Sequence, residues 1–208
     1  QLQIDGDVTG TNVNLTVGGV GATLINGDIT TGTGSLTLDT TGVVALAGAN
    51  TFTGGTTVNS GSLQLQGGAA LADSGALTVN APGKVQVFAG ETVGALSGDG
   101  SIVLQTAGAL VAGGSTNTEF AGVISESGAT GAFTKAGSGT LTLSGANTYT
   151  GATTVDAGRL DVTGSVASAV VTVNTGAGLT VDGASLADTA AVTLNGTGNL
   201  TLTGAETI

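Results

Sequence analysis

The sequence predicts an all-β solenoid: one continuous parallel β-helix over residues 1–208, with about ten coils of roughly 18–21 residues each. Three observations predict it. Glycine supplies 39 of 208 residues against a single proline, so turns are frequent. Between the glycines lie short runs that alternate apolar and polar, such as TLTL (140–143) and RLDV (159–162). Finally, the chain repeats itself at offsets that share a unit near twenty residues.

Composition limits the core before any element is placed. Hydrophobic residues make up 40% of the chain, yet only Tyr (1) and Phe (4) are aromatic, and Trp, Met, Cys and His are absent. The interior must therefore be narrow and built from Val, Leu, Ile and Ala. Collagen is excluded because no G-X-Y period exists. Disorder is opposed by the regular apolar alternation. A helical fold fails because no segment keeps apolar residues at i, i+3, i+4 and i+7, and each glycine in a helix costs about 1 kcal/mol.

Three offsets define the repeat. At 21, residues 5–25 lie over 26–46, pairing Gly6 with Gly27, Asp7 with Asp28, Val8 with Ile29, Leu15 with Leu36 and Gly21 with Gly42. At 97, residues 41–65 lie over 138–162 with 13 identities in 25. At 115, ALADSGALTVN (70–80) lies over SLADTAAVTLN (185–195), and GETV (90–93) over AETI (205–208). The last two offsets differ by 18 (115 − 97), so residues near 164–183 read as one inserted coil.

Each coil carries alternating strands. In TLTL, Leu141 and Leu143 share one face and Thr140 and Thr142 the other, which suits a strand with core on one side and water on the other. Further strands are expected at VVTV (170–173) and NLTL (199–202). Gly, Asn and Asp close the runs, and corners in place of hairpins imply parallel stacking of successive coils. The positions held between the two long copies are structural in this reading: Asn50 with Asn147, Gly54 with Gly151, Val58 with Val155, and Gly61 with Gly158. The glycines mark bends or close backbone approach, and the asparagines bond backbone groups freed by the bend.

Charge and residue content exclude several functions. The net charge is −11 with three cations, Lys84, Lys135 and Arg159, too few to displace counterions from nucleic acid or to bind an anionic membrane. All three are expected in solvent, with Arg159 paired to Asp156 or Asp161. Without His or Cys, the common nucleophilic triads and zinc sites are excluded. No apolar run reaches 18 residues, so no membrane insertion of this segment is expected. The start, QLQIDGDV, reads as a mature or excised product. Absence of cysteine is compatible with an extracellular home.

The candidates for chemistry are few. Asp5, Asp7 and Asp28 are a weak calcium candidate, although the GGxGxDxUx and EF-hand patterns are absent. Carboxylate pairs such as Asp5/Asp7 or Asp156/Asp161 admit acid–base catalysis on polysaccharide, the least favoured reading, because a repeated corner Asp is more often a turn former. GDGS (98–101) lacks the GK[ST] ending of a phosphate loop and reads as a turn. Phe52 and Tyr149 occupy matching positions, either covering the core or offering a platform for glycans. No catalytic residue and no cofactor is assigned.

The stretch GAFTKAGSGTLTLSGANTYTGATTVDAGRLDV (131–162) resembles the autotransporter-associated β-strand repeat of Gram-negative autotransporter passengers. Lys135, Gly137, Gly139, Leu141, Leu143, Gly145, Asn147, Tyr149, Gly151, Thr153, Val155, Gly158 and Leu160 carry the likeness. Residues 42–65 resemble it too, with Phe52 at the Tyr149 position and without the upstream Lys–Gly lead. The resemblance implies a right-handed parallel β-helix, exported and folded outside the cell, at the outer cell surface or in the extracellular medium. It implies a structural role as adhesin stalk or scaffold and no enzyme activity, within what is expected to be a slice of a longer array. The alternative is an extracellular filament or surface-layer subunit stacking end to end. The partners it suggests are other copies of the chain, flanking passenger coils, or host and bacterial surface glycans and proteins.

Overall fold

The structure, a computed structural model, describes residues 1–106, 108–128, 130–183 and 185–204. The stretch 205–208, aligned above with 90–93, lies outside the described residues. Every strand pairing among the described residues is parallel, and no helix occurs among them. The chain winds as a right-handed parallel β-helix with three faces.

The first face shows the winding most directly. Its inward column runs Val17, Leu38, Val58, Val79, Gly98, Phe120, Leu143, Val162, Val181, Leu202, each residue the register partner of the next. These ten rungs enclose nine turns, in keeping with the expectation of about ten coils. The turns span 19 to 23 residues by subtraction of partner numbers, such as 98 − 79 and 143 − 120. The two longest, from Gly98 to Phe120 and from Phe120 to Leu143, span 22 and 23 residues (120 − 98 and 143 − 120) against the 18–21 expected. At about 4.8 Å per rung, nine turns are roughly 43 Å long.

The second face begins with the column Ile4, Ile25, Leu46, Leu65, Val87, Leu104, then shortens to Ala146–Asn147, Ser165–Val166 and Ser185–Leu186. The third carries Val93, Ala112, Lys135, Val155, Val173 and Leu194 in register. Alternation works as read from the sequence: in Thr140–Leu143, Leu141 and Leu143 are buried and the threonines half-buried. The 21-residue offset is one turn, since Leu15 pairs with Leu36 and Val8 with Ile29. Residues 164–183, read as an insert, contain one strand for each face: Ser165–Val166, Val170–Val173 and Gly178–Asp182.

The 97-residue offset has a different geometry. Four turns carry Val58 through Val79, Gly98 and Phe120 to Leu143, and two more faces bring the chain to Val155. The two long copies therefore keep their local shape but sit one face apart around the axis. Their wide corner moves with them. It joins the first face to the second at Asn59–Gly61 and the third to the first at Asp156–Gly158.

Candidate functional site

The repeated corner is where the held residues come together. In the second copy, the chain leaves Thr140–Leu143, turns tightly at Ser144–Gly145, and enters the two-residue strand Ala146–Asn147. Asn147 is fully buried, and its amide joins three coils. Its Oδ1 accepts the Ile124 N–H (2.9 Å) from the coil before, and its Nδ2 donates to Gly145 O (3.0 Å) in its own coil and Ser165 O (3.1 Å) in the coil after. Asn50 does the same work in the first copy, accepting from Ile29 N–H (2.7 Å) and donating to Ala70 O (2.7 Å). A strand this short leaves backbone groups unpaired, and a buried amide with one acceptor and two donors satisfies them.

The glycines of this corner are set by close stacking. A Cβ on Gly158, whose φ is 62°, would lie 2.5 Å from Gly137 O. One on Gly61, at φ 74°, would lie 2.6 Å from both Gly42 O and Thr40 O. Both conditions exclude a side chain, the first by conformation and the second by space. Gly54 and Gly151 pack equally closely against the Gly34 and Gly131 backbone, and Val58 and Val155 are buried in their columns.

Outside the corner, side-chain ladders tie rungs together. Asn59 Nδ2 donates to Asp39 (2.7 Å) and Asn80 Nδ2 to Asn59 (2.9 Å). On the later wide corners, Asn174 donates to Asp156 (2.7 Å) and Asn195 to Asn174 (2.8 Å). Each ladder starts with Asp, an acceptor only, and continues with Asn, which both accepts and donates.

The chemical candidates are engaged in hydrogen bonds between coils or turn inward. Asp5 Oδ1 accepts Gln3 Nε2 and Asn26 Nδ2, which hold its carboxyl below the usual carboxylate range. Asp7 accepts Asp28 N–H, and Asp28 in turn accepts Ala49 N–H. All three carboxylates are used as coil-to-coil links, and no group of three or more metal-ligating side chains occurs among the described residues. Asp99, in GDGS, accepts Ala81 N–H (2.8 Å) as a turn residue. Phe52 and Tyr149 are buried, so neither is a platform for glycans. The Tyr149 ring meets Phe133 at 6.1 Å between centroids, and its hydroxyl bonds Thr153 Oγ1 at 2.7 Å; burial raises its pKa.

Of the three cations, Lys84 and Arg159 are exposed, and Arg159 pairs with Asp161, while Asp156 belongs to its ladder. Lys135 corrects the expectation of a solvated side chain. It is 1% exposed, and its Nζ donates to Ala136 O, Gly137 O (2.9 Å) and Ala157 O (3.3 Å). Burial lowers its pKa. The reason lies in phase: in AFTK the alternation that buries Phe133 also buries Lys135. The same phase buries Glu91 two residues before Val93 in GETV, a group the sequence reading passed over. Glu126 fastens another wide corner, accepting Gly131 N–H (2.7 Å) and Thr150 Oγ1 (2.6 Å). Burial pushes its carboxyl up, but these bonds and those from the Thr150 and Gly151 N–H groups outweigh it and lower the pKa.

The held residues of this stacked solenoid are consumed by rung-to-rung contacts, so the class that the fold defines is a repeat-built parallel β-solenoid. The family model of the passenger-associated-transport-repeat matches residues 29–65 and 133–162, so each segment is a copy of the autotransporter passenger repeat. Both matches end where the 97-residue repeat ends, at Leu65 and Val162. No curated protein and no solved structure matches the chain.

Proposed function

We propose that this chain is a rigid stalk segment of a secreted or surface-exposed autotransporter passenger, holding an adhesive or otherwise active part away from the cell. The observation that supports it most directly is the use of the repeat: Asn50 and Asn147, both buried, bond only backbone and link the coil before to the coil after. Such a rod is built rung on rung. Each coil offers a pairing edge to the next, so a chain emerging end-first from a pore folds progressively. Expression of the full-length passenger with an epitope placed in the exposed corner 174–176 tests this reading. Antibody staining on intact cells supports it, and staining only after permeabilisation counts against it.

A second reading is an end-to-end filament, in which the parallel strand pairing of one rod continues into the next copy. Electron microscopy of the purified protein over a range of concentrations separates the two. Fibres with a repeat near 4.8 Å along the axis favour the filament. Separate rods of fixed length favour the stalk.

A further inference from the structure

We propose that Glu91 is a proton-operated latch on the segment 66–76: uncharged, it keeps that segment seated on the core, and ionised, it releases it. The third face carries a strand at Gly90–Val93 and in each coil after it, but none between Leu65 and Leu77. Backbone bonds toward the next coil stop at Leu65 O, which accepts Phe88 N–H (3.0 Å), and resume at Gly75 O, which accepts Gly94 N–H (2.8 Å). Between them the bridge is a side chain. Glu91 Oε2 accepts Ala70 N–H (3.2 Å) and Oε1 accepts Leu71 N–H (2.8 Å). On the opposite side the segment rests on Asn50, through Asn50 N–H to Ala69 O (3.0 Å) and Nδ2 to Ala70 O.

Glu91 takes an inward position, 2% exposed, stacked on Leu110. No cation answers it. The segment 66–76 brings one ionisable group near, Asp73, of the same sign. The next strand, Ala109–Ala112, has no ionisable residue, and Glu91 is the only one on its own strand. Lys84 on the preceding strand is exposed, and Lys135, two rungs along, is engaged with carbonyls. A buried, unpaired carboxylate either keeps its proton or leaves the core.

Burial accordingly pushes the Glu91 carboxyl up to about 7, against the pull of its two backbone bonds and with a small push from Asp73. Released into water, the group returns to its ordinary 4.5. The seated form thus holds the proton between these values, where the open form has lost it. Its advantage is complete below 4.5, declines as the pH rises to about 7, and is constant above. The closed-to-open ratio changes on the order of a hundredfold across that window. Asn50, which bridges the neighbouring coil with an amide, cannot titrate.

Hydrogen exchange of the Ala70 and Leu71 amides in the whole chain, corrected for intrinsic rates, reads the latch directly. Between pH 5 and pH 8 their protection is expected to fall on the order of a hundredfold, while that of Leu141 and Leu160 stays constant. In Glu91→Gln the two amides should show equal protection at both pH values. Unchanged protection in the wild type overturns the proposal, as does a Glu91→Gln variant that keeps the pH dependence. Should that variant fail to fold, a carbon-13 titration of the wild-type Glu91 carboxyl decides. A midpoint near the ordinary value of 4.5 defeats the latch, and one near 7 sustains it.

Discussion

Replacing Asn147 by alanine removes one side chain that three backbone groups bond, of which Gly145 O alone keeps a second partner, the Ser165 N–H at 3.1 Å. The Ile124 N–H loses its acceptor, and Gly145 O and Ser165 O lose a donor, all at a residue 1% exposed. A buried donor left alone costs about 1–3 kcal/mol, and each carbonyl, with a second lone pair still available, about 0.5–1 kcal/mol. The sum is roughly 2–5 kcal/mol. For a chain of this length each kcal/mol moves the midpoint by about 2–4 °C, so Asn147→Ala should melt on the order of 10 °C below the wild type by circular dichroism. Asn147→Asp sharpens the test. Its carboxylate can accept from Ile124 but meets two carbonyl oxygens where an NH2 stood, so it should be at least as damaging at neutral pH and partly recover in acid, where one oxygen carries a proton. Thr148→Ala, at the exposed neighbour, is the control. If Asn147→Ala melts within about 1 °C of the wild type, the claim that this amide ties three coils together is wrong.

Gly158→Ala and Gly176→Ala separate conformation from stacking. Both glycines have positive φ, 62° and 80°, but a Cβ at Gly176 meets nothing within 4 Å while one at Gly158 meets Gly137 O at 2.5 Å. Urea denaturation should therefore show a loss of about 1 kcal/mol at Gly176 and at least twice that at Gly158; equal losses would remove the stacking argument. Tyr149→Phe leaves Thr153 Oγ1 without its partner and should cost about 1 kcal/mol in the same assay, a modest loss because Phe52 fills the matching place in the first copy. Lys135 gives a pH dependence of unusual sign. Its folded-state pKa is depressed by burial, so the unfolded chain binds the extra proton in the window that ends at 10.5, and stability should rise with pH through that window. Lys135→Met should flatten the rise in thermal midpoints measured across it, and an equal slope in both proteins would refute the assignment.

The strands were legible because they depend on local rules. Leu141 and Leu143 in TLTL, or Val171 and Val173 in VVTV, declare their inward face by alternation alone, and parallel stacking follows from corners without hairpins. The polar core was less legible. Asn50 and Asn147 stood out because they recur, but which backbone groups they bind depends on the coil above and the coil below, which no local pattern specifies. Lys135 and Glu91 were visible to the same alternation that placed their neighbours Phe133 and Val93. Charge overrode phase in the reading of Lys135, whereas in the structure phase overrides charge: three carbonyls receive the Lys135 ammonium, and at Glu91 burial outweighs its two N–H bonds and raises the pKa.

The position of the two long repeats one face apart follows from what the repeat needs. Its tight corner requires a glycine under a glycine, as Gly145 lies on Gly122 and Gly48 on Gly27, and an asparagine beside a strand edge. Its wide corner requires a left-handed glycine, Gly61 or Gly158, and a polar residue in a ladder. None of these requirements names a particular face of the helix. Each names only a neighbour one turn before and one turn after. Three faces, each carrying inward columns of mostly Val, Leu and Ile, can supply such neighbours, so the repeat enters at more than one of them. A unit of this kind is constrained along the axis and free around it. Its two conserved-in-shape copies are therefore consistent with a motif selected for adding a well-paired rung to a growing stack, and the absence of a fixed face argues against the repeat itself presenting a binding surface, which would have to recur on one side of the rod.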